Sequence, residues 1–207
     1  VKKYIKYVKN YFFISMILSL GIIIFNYAVD PYQFYAKSKI IKPVYQDAVA
    51  MSPGMIKNYD YDCAVIGSSL SQNFMILDLN NNLKKKCIKN TLGGITAHEM
   101  NKILNLHNIS NKADLFLLNI DFFSFRGNKD RVRNQFINYL YDSSITTHVK
   151  YLLNFDTTLK SLKLFVYYIT DKKLDIMNIN TSFSWYKNKT FSQENVLKSY
   201  HVELNKK

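Results

Sequence analysis

The longest apolar run of the chain is Tyr11–Val29, YFFISMILSLGIIIFNYAV, and it holds no charged residue. Its roughly 19 residues suffice to cross a hydrocarbon core as a helix. Lys2, Lys3, Lys6 and Lys9 stand before it, and the first acidic residue is Asp30. Positive charge on the short leading side predicts a cytoplasmic amino-terminus, with the main domain outside an inner (cytoplasmic) membrane. A cleavable signal peptide has a shorter apolar core that ends in small residues of the A-x-A kind. This run ends Asn26-Tyr27-Ala28-Val29-Asp30-Pro31 instead. Residues 1–29 therefore read as a tail and an uncleaved single-pass anchor.

The next stretch, 30–61, shows no sustained period. Pro31, Pro43, Pro53 and Gly54 punctuate it, so it reads as a connector. From residue 62 short apolar runs alternate with helical patterns. Strands are expected near 62–67, 86–91 and 114–120, and SQNFMILDLNNNL has room for a short helix. Met100, Ile103, Leu104 and Leu106 give a helix near 96–107, with Thr96 or Thr91 as its cap. This alternation predicts an α/β domain over 62–207, built on a parallel sheet covered on both faces. In such sheets sites form beyond the carboxyl ends of the strands. Those ends carry Ser68-Ser69, Gly93-Gly94 and Asn119 to Asp121. After a polar loop, GNKDRVRNQ, residues of about 134–170 read as a helical insertion. Its helix near 155–169 is expected to join the one at 96–107 in covering the sheet. A loop with the sole Trp, Trp185, and a helix beginning at Ser192 follow.

Composition narrows the classes. A chain of 207 residues with 48% apolar and 15% aromatic residues is a folded domain with a core, not a disordered tail. The net charge of +13 admits nucleic acid, anionic lipid or an anionic polymer as partner. The lysines are scattered apart from Lys84-Lys85-Lys86, and Lys, Asn, Ile and Tyr are common throughout. No zinc-ligand spacing, RNP-type aromatic motif or basic helix with a heptad partner is found, so no nucleic-acid partner is expected. Nothing points to a metal or a cofactor. Cys63 and Cys87 fall in two expected strands that could be neighbours. They are either a disulfide, which an extracytoplasmic compartment permits, or two small buried apolar residues.

The glycine and serines after the first strand resemble the first block, Gly-Asp-Ser, of SGNH-type (GDSL-like) hydrolases. The chain is most similar to a membrane-anchored bacterial branch of these, with an anchor, "DPY", "IGSS-x-S/T-x-NF", "GG-x-T-x-x-E" and "D-F-F-x-F" in that order. Here those blocks are Asp30-Pro31-Tyr32, Ile66 to Phe74, Gly93 to Glu99 and Asp121 to Phe125. Relatives in that branch include the D-alanyl transfer protein of teichoic acids and acetyl transferases of secreted polysaccharides. The resemblance implies a partial flavodoxin-like, three-layer domain acting on an acyl donor or a surface glycan. It implies Ser69 as nucleophile and the backbone N–H of Ser69 and Gly94 as oxyanion donors. The family's third block usually supplies an Asn side chain. Here it reads Leu118-Asn119-Ile120-Asp121, with Asp121 in the branch's place, where a carboxylate orients neighbours rather than donates.

The family's last block, Asp-x-x-His, carries the general base. Three residues before His98, His107, His148 and His201 stand Ile95, Leu104, Ile145 and Lys198, so none matches. The expectation is a C-terminally truncated and inactive copy of a cell-envelope acyl esterase or acyltransferase. The alternative is a non-catalytic anchored protein that binds an anionic glycan, a lipid surface or a protein partner.

Overall fold

A computed structural model describes residues 2–38, 41, 45, 47–142 and 144–170. The expectations for Trp185, for a helix from Ser192 and for His201 fall outside the described residues.

Helix α1, Lys2–Val29, is basic at its start and apolar from Tyr11 on, broken by Ser15, Ser19 and Asn26. Its stretch Tyr4–Val29 has a mean hydropathy of 2.2 and is long and apolar enough to cross a membrane. The chain leaves it through a knot built on Asp30. Asp30 and Gln33 take left-handed backbone angles, with φ of 42° and 52°. The Asp30 carboxylate accepts from the backbone N–H of Phe34, Tyr35 and Ala36, and from the hydroxyl of Tyr151 at 2.7 Å. Burial raises its pKa above the usual carboxylate value, and those donors pull the other way.

The stretch read as a connector holds a core helix, α2, Ala48–Asn58. Asp47 caps it through the N–H of Ala50. Pro53 lies inside it and has no N–H to offer the carbonyl of Val49, one turn back. The hydroxyl of Tyr141 fills that gap, donating to the Val49 oxygen at 2.7 Å. Gly54 is there for space: a Cβ would stand 2.3 Å from the Tyr32 carbonyl oxygen and 2.5 Å from that of Gln33. Proline and glycine, read as chain breakers, here let two backbones touch.

The sheet has three parallel strands in the order β2-β1-β3, namely β1 Cys63–Gly67, β2 Cys87–Thr91 and β3 Leu115–Leu118. The expected strands thus lie side by side and parallel. Ala64, Ile66 and Ile88 face α2 and helix α4, Ala97–Ser110. Cys63, Cys87 and Leu115 face the other way, toward helix α3, Ile76–Leu83. Helices therefore cover both faces. Cys63 and Cys87 sit opposite each other in the register and form a disulfide. Thr96 is the cap of α4, in a capping box with Glu99.

The expected insertion supplies helices α5, Ile145–Leu152, and α6, Phe155–Ile169. The bounds of α6 match the expectation, but its place does not. It does not cover the sheet: it packs on α1, with the Phe165 ring edge-on to Phe25 at 5.7 Å. Asn26 of α1 donates to the hydroxyl of Thr158 and to the carbonyl of Leu152, each at 2.8 Å. A buried amide needs such partners, and the α5–α6 junction offers them.

Candidate functional site at the carboxyl edge of the sheet

Gly67 ends β1 in a place where no side chain fits. A Cβ there would meet the Ser71 hydroxyl at 2.5 Å and Asn119 Cβ at 2.6 Å. Its φ is not in the left-handed region, so the glycine serves close approach rather than a special turn. Asn119 is drawn in by its own N–H, which donates to the Ile66 carbonyl at 2.9 Å. The neighbouring rim is closed by the Leu92 N–H donating to the Gly67 carbonyl, also at 2.9 Å.

The serines then divide the work. Ser68 is buried; its hydroxyl donates to Asn119 Oδ1 at 3.4 Å and accepts from the N–H of Leu70. Ser71 is also buried and donates back to the Ser68 carbonyl at 2.9 Å. Ser69, between them, is only partly covered. A Cβ built on Gly93 would stand 4.0 Å from Ser69 Cβ. The edge thus brings Ser69 against the Gly93-Gly94 turn. Gly94 itself has φ of 66° and nothing within 4 Å of where a Cβ would be. Its glycine is required by backbone angle, and its surroundings are open.

Asp121, the third expected site residue, lies just past the end of β3. It opens the single turn Phe122–Phe125, its side chain makes no capping bond, and its carbonyl accepts from the Ser124 N–H. The polar side chain that reaches the end of β1 is Asn119, two residues earlier. Because β3 stops at Leu118, Asn119 is the first residue to turn inward.

Beneath the serine loop lies a buried cation. Lys89 is fully covered and donates to the Gln72 carbonyl at 2.8 Å, and burial pushes its pKa down to about 8. Above the rim runs the loop 126–137. The Glu99 side chain, fully buried, accepts from the backbone N–H of Arg133 and from its Nε, both at 2.7 Å. The same guanidinium reaches the Gly93 carbonyl. Thr96 donates to the Arg131 carbonyl, and Arg131 donates to that of Phe123. Arg133 therefore stands beside the glycine turn, held there by the glutamate of the "GG-x-T-x-x-E" block, and Arg131 is tied to the start of α4 through its carbonyl. The Glu99–Arg133 pair is 34 positions apart, and no local pattern announces it.

The described histidines are engaged elsewhere. His107 is buried between the Tyr61 hydroxyl, 2.9 Å from Nδ1, and Asn90 Oδ1, 3.0 Å from Nε2. Burial lowers its pKa to about 4. His148 stacks on Tyr35 on α5. His98, in the first turn of α4, is 3.9 Å from Asp130 in the rim loop. No group of three or more His, Cys, Asp or Glu able to hold a metal occurs among the described residues. A concavity of about 490 Å³, lined by Tyr32, Tyr139, Lys150 and Asp156 among others, lies between the insertion and the anchor exit, away from the strand ends.

No family model, no curated protein and no solved structure matches the chain.

Proposed function

We propose that the chain is a membrane-anchored cell-envelope domain of the SGNH-like, flavodoxin-like kind, related in chemistry to acyl esterases and acyltransferases of surface glycans. The observation that carries this reading is the meeting of Ser69 with the Gly93-Gly94 turn at the carboxyl edge of a parallel sheet. In it Ser69 attacks an acyl carbonyl, and the N–H groups of Ser69 and Gly94 receive the developing oxyanion. Asn119 takes the place of the family's Asn as a further donor, and Asp121 has no part. Arg133 beside the turn and Arg131 in the rim loop favour an anionic glycan as the acceptor. α1 crosses the inner membrane with its basic end inside, and the Cys63–Cys87 bridge suits an outside domain.

Among the described residues His98, His107 and His148 each face other groups, so none of the three serves Ser69 as base. Hydrolysis of a short acyl ester by the full chain in detergent should equal that of Ser69→Ala. Added imidazole, as an external base, should open a gap of about tenfold between the two. The absence of any gap with imidazole would refute a presented nucleophile. Ser69-dependent turnover without imidazole, lost in His98→Ala, would mean that the His98–Asp130 pair is a base after all.

The non-catalytic reading keeps one specific support, the same arginine rim. It calls for binding of an anionic glycan that is equal in the parent chain and in Ser69→Ala.

A further inference from the structure

Helix α6 is turned inside out. Its buried residues are Thr157, Ser161 and Leu164. Its exposed stripe is Phe155, Leu159, Leu162, Val166 and Ile169, five apolar side chains within about 80° on the helix wheel. A helix of a water-soluble domain buries its apolar stripe and shows its polar one. The hydroxyl of Ser161 is fully buried and unpartnered among the described residues, so water solvation does not explain its inward face. α5 continues the pattern: Ile145 is 82% exposed and Val149 58%, while Thr147 and Tyr151 are buried.

The partner of α6 locates this stripe. On α1, cover recurs at Ser19, Ile23, Asn26 and Val29, at helical spacing, on the helix that α5 and α6 contact. Beside the Phe25 and Phe165 rings, the contact uses a hydroxyl, Thr158, and one buried amide, Asn26. Association between helices in lipid favours such residues, because apolar bulk gains nothing by leaving acyl chains. α6 packs on the span, whose own surface is apolar and bare, with Leu18 63% exposed and Ile22 40%. Lys163 borders the stripe on one side, and Lys150 is exposed on α5. Lysines so placed keep their stems in the apolar layer and their ammonium groups at anionic headgroups.

We infer that α5 and α6 form a second membrane element, with the outward stripe of α6 immersed in the acyl chains of the leaflet that the carboxyl end of α1 enters. The inference rests on the reading of α1 as an anchor. At 15 residues α6 is about 22 Å long, short of the ~30 Å hydrocarbon core, so it lines one leaflet and does not span. The catalytic edge is thereby tethered at two points, and the domain is held in one orientation to the surface instead of swinging on a single helix.

The test places one tryptophan at a time in a Trp185→Phe chain reconstituted into vesicles of phosphatidylcholine and phosphatidylglycerol brominated at mid-chain. Leu162→Trp and Val166→Trp report on α6, Leu18→Trp on the anchor, and Ile109→Trp on the exposed face of α4. Non-reducing gel mobility of the Cys63–Cys87 bridge verifies the fold of each. The inference expects both α6 tryptophans and the anchor tryptophan to lose about half or more of their emission, and Ile109→Trp to lose almost none. Quenching at Leu18→Trp without quenching in α6 overturns the second element and leaves the anchor standing, with a protein partner then the occupant of the stripe. Quenching at none of these sites overturns the anchor reading itself. Equal quenching at Ile109→Trp overturns the oriented immersion.

Discussion

Helices α4 and α6 are nearly equal in length, 14 and 15 residues, and both begin at a side-chain cap. Their faces are opposite. α4 buries Met100, Ile103 and Leu106 against the sheet and turns Asn101, Asn105 and Asn108 outward. α6 buries Thr157 and Ser161 against α1 and turns Phe155, Leu159 and Leu162 outward. Period alone assigns a helix in both cases. With α6 immersed as inferred, the side that faces in records the medium outside, water for α4 and hydrocarbon for α6.

A single carboxylate should break this contrast most strongly. Ile103→Asp puts a charge into the core under α4 and should cost about 4 kcal/mol or more, enough to lose the fold. Leu162→Asp, on the outward face of α6, should leave the melting transition in detergent within about 1 kcal/mol of the parent while weakening retention in vesicles. Thermal melting of the two variants side by side reads the difference.

Acid should distinguish the helices next, because α4 carries His107 in the core and α6 carries no histidine. The folded chain holds this imidazole neutral down to about pH 4, whereas its ordinary pKa is 6.5. Between those values the unfolded chain takes a proton that the folded chain refuses, so stability falls as pH falls. The full loss is about 3 kcal/mol, and it is absent above the ordinary pKa. Melting of His107→Gln should vary less across that window than melting of the parent. An equal slope in both would place the acid sensitivity elsewhere.

The smallest effect is expected at Ser161. Its buried hydroxyl has no partner among the described residues, so Ser161→Ala should be neutral or stabilising by about 1 kcal/mol. A destabilisation of that size would instead reveal a bond from this hydroxyl across to α1.

β1 was legible because a strand buried on both faces is a continuous apolar run, CAVIG, whereas β2, CIKNT, buries Lys89, Asn90 and Thr91. Thr96 and the bounds of α6 were legible from local chemistry and period. The partner of α6 was not, since an apolar stripe demands an apolar neighbour without saying whether that is protein or lipid. α2 was hidden because Pro53 and Gly54 carry strong local signals for a break. Their compensation comes from Tyr141 and from the backbone at Tyr32 and Gln33, far along the chain. At the site, Ser69 and the glycine turn were legible from their order after the strands. That Asn119 packs against the end of β1 depended on where β3 stops, which a run of Leu and Ile does not mark. Glu99 was visible within its block, but Arg133 enters only through the folded path of the rim loop.

The hydroxyl that fills the proline gap has a consequence for assembly. The Val49 carbonyl receives its bond from a residue 92 positions later. Until that phenol docks, α2 lacks a rung at its centre, and closing so long a loop is slow relative to local helix formation. A chain emerging from the ribosome would hold its first core helix unfinished while all three strands are made. Completion of that helix is thus a late event in folding, so a segment near the start of the chain reports on whether the downstream part has arrived.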